Sequence, residues 1–360
     1  MIVMINRIYF GIFLWLCWFE PKAQTVYYNA NEFPLYGKCE VGLGDRYNRF
    51  PDSLKHVSRN SLWDLSTHSA GMAVRFRSNS TSISARWNLK YNTRMNHMAD
   101  TGIKGLDLYC YNDGEWTFVN VARPTGKNNK ATIIKNMSAD WREYMLYLPL
   151  YDGLDSLYIG VDSLADISLP ILELPRRNKP IVFYGTSILQ GGCASRPGMA
   201  HTNILERMLN VETINLGFSG NAFLDLEVAD LMASVDASVY VIDCVPNSTA
   251  KQIKERLYDF YKRIRNAHLC TPVIFVEDPQ FTYSKFDLLM AEEIRTKNQA
   301  LREVFYELKA KGETHIVYIE LSDFLSKHNE ATVDGIHFTD LGFNEFAKLL
   351  YKYLYPYTRF

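Results

Sequence analysis

Three hundred and sixty residues are more than one ordinary domain needs and suit two. The chain is 47% hydrophobic and 22% charged, a globular composition that excludes a disordered one. Lys and Arg total 39 against 40 Asp and Glu, and a net charge of −1 argues against a general nucleic-acid or anionic-membrane binder.

The chain opens with Arg7 ahead of an apolar run over residues 8–19. A basic start followed by such a stretch fits a secretory signal over residues 1–23, with cleavage after Ala23. The run is too short to span a bilayer, which needs about 20 apolar residues. No later segment is apolar for long enough, so an exported protein, periplasmic or secreted, with no membrane span after signal removal is expected. Leu14-Trp15-Leu16-Cys17 has the outline of a lipoprotein box, but Leu16 is too large for the small residue needed before the cysteine. Removal of Cys17 leaves Cys39, Cys110, Cys193, Cys244 and Cys270, an odd set for an oxidising compartment. Neither CxxC nor HExxH occurs, so no structural or catalytic metal is expected.

Residues 24–175 read as β. Segments 74–77 and 82–87 alternate apolar and polar around Ser78-Asn79-Ser80, predicting a hairpin, and 106–111 with 116–119 around Asn112-Asp113-Gly114 predict a second. Further strands are expected at 144–148 and 157–161. Short strands with regular turn signals predict a β-sandwich or jelly roll. Asp107 and Tyr109 share one face of their strand, with Leu106 and Leu108 on the other. A structural hydrogen-bonding role is expected for them; the alternative is that they contact the second domain or line the cleft.

The pattern changes at Leu174-Pro175-Arg176-Arg177-Asn178-Lys179-Pro180, a domain boundary. Over 180–356, apolar strands at 181–184, 211–216, 239–242, 273–276 and 316–319 alternate with helical spacings. One helix carries Ala250, Ile253, Leu257, Phe260 and Ile264; another carries Met290, Ile294, Leu301, Val304 and Leu308. A last one, with Phe346, Leu350 and Leu354, stops at Pro356. This alternation predicts a parallel sheet with helices on both faces, a flavodoxin-like three-layer α/β/α fold with strand order such as 2-1-3-4-5.

Ligands bind beyond the carboxyl ends of strands in such sheets. Those ends carry Gly185-Thr186-Ser187, then Gly217-Phe218-Ser219-Gly220, then Pro246-Asn247, and finally a loop with Asp334-Gly335-Ile336-His337. They are the parts of acyl transfer. A serine hydroxyl needs a base, His337 can be that base if a carboxylate holds its other nitrogen, and Asp334 lies three residues away. The N–H groups of Ser187 and Gly220 and the amide of Asn247 can receive an oxyanion; Gly220 leaves room for close approach. Asn247 can equally cap the following helix, as Ser248 or Thr249 can.

In this order and placement, residues 181–355 resemble the SGNH hydrolases, or GDSL-type esterases and lipases. Ser187 matches the nucleophile block, Gly220 and Asn247 the oxyanion pair, and Asp334 with His337 the final block. Gly105-Leu106-Asp107-Leu108-Tyr109 resembles the GxDLY motif of a β-rich domain that precedes this hydrolase type in some bacterial proteins. The resemblance implies ester hydrolysis through a Ser-His-Asp acyl-enzyme, with no metal or organic cofactor. Two blocks depart from the family pattern: Thr186 stands where the family has Asp, and Val245-Pro246-Asn247-Ser248 replaces Gly-x-Asn-Asp. The α/β-hydrolase elbow Gly-x-Ser-x-Gly fails at Leu189.

The glycine-rich segment 190–198 lacks the Lys-Ser/Thr ending of a phosphate loop; it reads either as a long surface loop or as a wall of the cleft in which Arg196 binds an anionic or hydroxylated group of the substrate. Cys193 and Cys244 are expected to pair as a disulfide. Glu277 and Asp278 after the fourth strand are expected to shape a loop, with competition against Asp334 for the acid's role as the alternative. Export, 14% aromatic residues and the resemblance to carbohydrate-acting relatives point to a short acyl group, acetyl, on a polysaccharide or small-molecule ester. A lipid ester is the enzymatic alternative, and a non-catalytic carbohydrate-binding protein on a hydrolase scaffold the non-enzymatic one.

Overall fold

The computed structural model describes residues 24–359; the signal expected over 1–23 lies outside them. The first part contributes β1 (Thr25–Asn29), β2 (Leu35–Tyr36), α1 (Asn60–Ser66), β3 (Ala73–Ser78), β4 (Ile83–Leu89), α2 (Asp100–Lys104), β5 (Leu106–Asn112) and β6 (Glu115–Ala122). It continues with β7 (Asn128–Ile134), β8 (Arg142–Tyr147), β9 (Leu154–Asp162) and β10 (Ile167–Ser168). These strands pair antiparallel in two sheets, β1-β9-β4-β7 and β10-β3-β8-β5-β6, with β2 beside β3. The alternation of each strand sends one set of side chains inward. Phe76, Trp87, Leu106, Leu108, Tyr144 and Ile159 form a shared core between the sheets, the sandwich that the pattern predicts.

One predicted hairpin does not form. β3 and β4 lie in different sheets, and the turn after Ser78 crosses the sandwich instead of reversing within a sheet. Local turn chemistry marks a reversal but does not say which sheet receives the next strand. The second hairpin, β5 with β6, is present, with Asn112 opposite Glu115.

The second part runs β11 (Arg176–Gly185), α3 (Ser187–Gln190), α4 (His201–Leu209), β12 (Val211–Gly217), α5 (Leu226–Ala233) and β13 (Val239–Asp243). Then follow α6 (Ala250–Ala267), β14 (Val273–Val276), α7 (Leu288–Ala310), β15 (Ile316–Ile319) and α8 (Asp340–Thr358). The sheet is parallel in the order β12-β11-β13-β14-β15, which is 2-1-3-4-5. Val182, Tyr184, Tyr240 and Ile242 face α5, α6 and α7. Ile181, Phe183, Val239 and Val241 face α4 and α8. Both faces are therefore apolar, which is why these strands read as continuous hydrophobic runs.

Two boundaries differ from expectation. β11 begins at Arg176, so part of the expected linker is strand, with an irregular register between Arg176 and Ile181. α8 continues through Pro356 to Thr358, although the proline has no N–H to give back to the preceding turn. Among the described residues, no helix is long and apolar enough to cross a membrane.

Register sets up the site. Gly185 pairs with Gly217 on one side and Asp243 on the other, so three adjacent strands, β12, β11 and β13, end level. Ser187, Gly220 and Asn247 lie two, three and four residues past that line. A side chain on Gly185 would come within 2.5 Å of the Asp243 carbonyl oxygen, so glycine permits this close pairing.

Candidate active site

Ser187 opens α3, whose N-cap Thr186 accepts the Ile188 N–H through its hydroxyl. Thr186 thus supplies a local cap at the position where the family has Asp. Gly191, at φ +100°, ends this single turn. Ser187 is only 7% exposed.

The loop before α8 is closed by a bridge between Thr332 and Phe338 and by the Val333 N–H donated to the His337 carbonyl. Within it, Asp334 Oδ1 accepts the N–H groups of Ile336 and His337 at 3.0 and 2.8 Å. Its Oδ2 lies 2.7 Å from His337 Nδ1, and His337 Nε2 lies 2.8 Å from Ser187 Oγ. A carboxylate only accepts, so the ring proton sits on Nδ1 and Nε2 presents a lone pair to the serine hydroxyl. Burial alone would raise Asp334, but the His337 side-chain bond and the two backbone donors outweigh it and hold the carboxyl down to about 2.

Gly220 has φ +65°, and a side chain there would meet no atom within 4 Å. Backbone conformation, not the room expected from the sequence, is what requires glycine. The expected capping alternative for Asn247 is taken by Thr249, which forms a capping box with Gln252 at the start of α6. Asn247 Oδ1 instead accepts the Ala222 N–H at 3.3 Å, which orients the amide and leaves its NH2 unspent.

Ser187, Gly220, Asn247 and His337 line one cleft of about 390 Å³, walled by Ile188, Pro246, Phe281, Met290 and Ile336. Asp278, Glu293 and Lys297 also line it; Lys297 pairs with Glu293 at 2.7 Å. Burial, with the neighbouring charges of Asp243 and Glu293 and against that of Lys297, pushes Asp278 up to about 8. Asp278 Oδ1 is buried without a partner. Glu277 instead is structural, binding Arg302, the Tyr318 hydroxyl and the Leu321 N–H. A larger hollow of about 640 Å³ around Lys38, Cys39 and Arg177 touches neither Ser187 nor His337. Chemistry, not volume, marks the site.

The β part contributes residues that sequence reasoning missed. Tyr151 donates its hydroxyl to the Ser187 carbonyl at 3.2 Å. His68 Nδ1 lies 3.1 Å from Gln190 Nε2, and Gln190 Oε1 accepts the Ser219 N–H beside Gly220. Burial, then the charges of Arg49 and Lys90, push His68 down to about 3, so the ring is neutral and can accept from the amide. Buried Arg49 binds the carbonyls of Asn215 and Gly217 at the end of β12. Arg59 forks onto Asp225 and reaches Asn221. A side chain on Gly192 would come within 2.8 Å of the Tyr151 hydroxyl and 3.0 Å of the His337 ring. Only the Gly191-Gly192 doublet was a visible signal for this contact.

Two expectations are corrected. Arg196 does not line the cleft: it donates to Asp107 Oδ2 and the Tyr109 hydroxyl at 2.7 and 2.6 Å and lies over the Phe118 ring. Asp107 also accepts the Gly198 N–H, so the Asp107/Tyr109 face docks on the second part. Cys193 and Cys244 are both free. Cys244 continues the parity of Tyr240 and Ile242 into the core under α5 and α6, while Cys193 packs in the core on the α4 and α8 side. The sheet separates them. Cys39, Cys110 and Cys270 are free as well.

Residues 178–355 match the GDSL-like lipase/acylhydrolase family, and residues 25–167 match the GxDLY family, the N-terminus of SGNH-hydrolase-type esterases. No curated protein matches. Among solved structures, a protein described as a GDSL-like lipase from Bacteroides ovatus is 36% identical, with a TM-score of 0.88 over 93% of this chain and 98% of that one. A salicylyl-acyltransferase of a tetracycline biosynthetic pathway shares the fold at 16% identity, TM-score 0.74, over 93% and 97% of the two chains. So does a family two carbohydrate esterase from Cellvibrio japonicus, at 10% identity and TM-score 0.61 over 93% and 98%. With both parts matched, and more than a third of residues shared along nearly the whole Bacteroides ovatus chain, this chain belongs to the GDSL-like lipase/acylhydrolase family and is an SGNH-type carboxylic ester hydrolase.

Proposed function

We propose that the protein is an exported serine esterase that removes short acyl groups, acetyl foremost, from a carbohydrate. The 2.8 Å approach of His337 Nε2 to Ser187 Oγ, with Asp334 on the far nitrogen, carries the reading. Ser187 attacks the ester carbonyl and its proton passes to Nε2. Asp334 stabilises the resulting imidazolium. The N–H groups of Ser187 and Gly220 and the Asn247 amide receive the oxyanion. The imidazolium returns its proton to the leaving alkoxide, and water, deprotonated by the same ring, releases the acid.

A small cleft with polar Asp278, Glu293 and Lys297 beside apolar walls supports a compact acyl group next to a hydroxylated alcohol. The fold shared with the Cellvibrio japonicus carbohydrate esterase agrees with this, and the apolar run at 8–19 supports export. Initial rates on p-nitrophenyl acetate, butyrate and octanoate test the reaction, and acetate release from a panel of acetylated polysaccharides tests the substrate. Wild type should prefer acetate and Ser187→Ala should be inactive; equal rates for both proteins would refute the mechanism. One observation favours a second reading, a lipid ester. Phe286, Leu288 and Leu289 stand exposed between the cleft-lining Tyr283 and Met290. A preference for octanoate would select it.

A further inference from the structure

We propose that His97, Cys193, Asp334 and His337 bind a borderline-soft divalent cation, Zn²⁺ foremost, and that its binding switches off His337 as a base. Each of the four offers one ligand atom, and these atoms lie within 4.8 Å of one another. They come from three distant segments: the loop before α2, the loop after α3 and the loop before α8. Sequence motifs for metals rely on ligands close in the chain, so this set has no linear signature.

The donor set is two imidazoles, one thiol and one carboxylate. Thiolate with imidazole selects zinc-like ions, whereas Mg²⁺ and Ca²⁺ take oxygens. The outer contacts are those that orient ligands. His97 Nδ1 lies 3.0 Å from the Asn96 amide oxygen, an acceptor, so Nδ1 carries the proton and Nε2 is free to coordinate. Asp334 Oδ1 is held by two backbone N–H groups. The His97 and His337 rings lie 5.6 Å apart between centroids. Cys193 follows two glycines yet itself adopts φ +71°, the left-handed conformation that glycine takes without strain. This backbone holds a buried thiol in one cluster with the exposed His97 and Asp334.

Coordination replaces water on the cation and releases the Cys193 thiol proton to solvent. If His337 coordinates through Nε2, it loses the lone pair that receives the serine proton. If it coordinates through Nδ1, the ring proton moves to Nε2, with the same result. The inhibitory consequence rests on the serine-esterase reading; binding does not.

Calorimetric titration of the full chain with ZnCl2 in chelator-free buffer separates the two. Wild type and Ser187→Ala should both bind saturably, with about one proton released per cation. Affinity should fall at least about tenfold in His97→Ala and in Cys193→Ser, no less than outer contacts are worth. It should be unchanged in Cys270→Ser, which removes the exposed thiol elsewhere. With Co²⁺ as probe, the thiolate charge-transfer absorbance should vanish only in Cys193→Ser. Zn²⁺ should suppress wild-type ester hydrolysis and a chelator should restore it. Absence of saturable binding, unchanged affinity in both His97→Ala and Cys193→Ser, or loss of binding in Cys270→Ser would overturn the site. Binding as described with undiminished hydrolysis would overturn the switch.

Discussion

The two parts of the molecule use polar residues in opposite ways. In the parallel-sheet part, the groups placed for chemistry lie on loops and at the start of α3, beyond the strands, and Asp334 and Gly220 are open to solvent. In the antiparallel part, the polar groups that meet the other half are buried and mostly paired: Arg49 at 1% exposure, Asp107 at 0% and Tyr151 at 3%. They end on carbonyls, N–H groups and Arg196 of the loops that carry Ser187 and Gly220. The contrast teaches that the β part is the fixed wall against which the reactive loops are set. A preorganised site needs such support.

Substitutions on either side of that boundary should therefore fail differently. Asn247→Ala, on the reactive side, should lower kcat by about 10²–10³ with KM little changed, since it removes a donor meant for the oxyanion; steady-state kinetics on an acetate ester would check this. Gly192→Ala, at the meeting of the two parts, should displace the His337 ring and lower kcat by up to about 10²-fold, the scale of a 1 Å misplacement, while unfolding in urea shifts little. Asp107→Ala, on the supporting side, should reverse that pattern. It strands Arg196 and the Gly198 N–H, and should cost about 1–3 kcal/mol in denaturant unfolding with kcat of the folded enzyme nearly intact. If Asp107→Ala instead abolished turnover without loss of stability, the division between wall and reactive loops would be wrong.

A separate test concerns pH. Asp278 ionises near 8 in the folded protein, chiefly because it is buried, and near 3.8 when unfolded. Between those values the folded state holds a proton that the unfolded state has released, so this group makes stability fall as pH rises. Asp278→Asn lacks that slope. Its melting temperature relative to wild type should climb from pH 4 to about pH 8 and then level off; a flat difference would mean that Asp278 is solvated.

Much of the parallel sheet was legible because most of its strands are short apolar runs and the last three are each followed by a helical spacing. The same alternation carried more than was read from it. Tyr240, Ile242 and Cys244 share a parity, which already sets Cys244 on one face of the sheet. The failed hairpin at Ser78 and the reassigned Arg196 have another cause: both depend on which distant surface a segment meets, and no local pattern records that. Tyr151, His68 and Arg49 were illegible for the same reason. Their partners lie 36, 122 and 166 or 168 residues away. Asn247 could be freed from the capping role only once Thr249 was seen to occupy it.

Whether Ser187 is a base-activated nucleophile can be read directly by treating the intact protein with a fluorophosphonate and mapping the adduct by peptide mass spectrometry. The adduct should fall on Ser187 alone and be lost in His337→Ala, with circular dichroism used to check that this variant is folded. No adduct, an adduct on another residue, or equal labelling of Ser187 without His337 would contradict the role assigned to the pair.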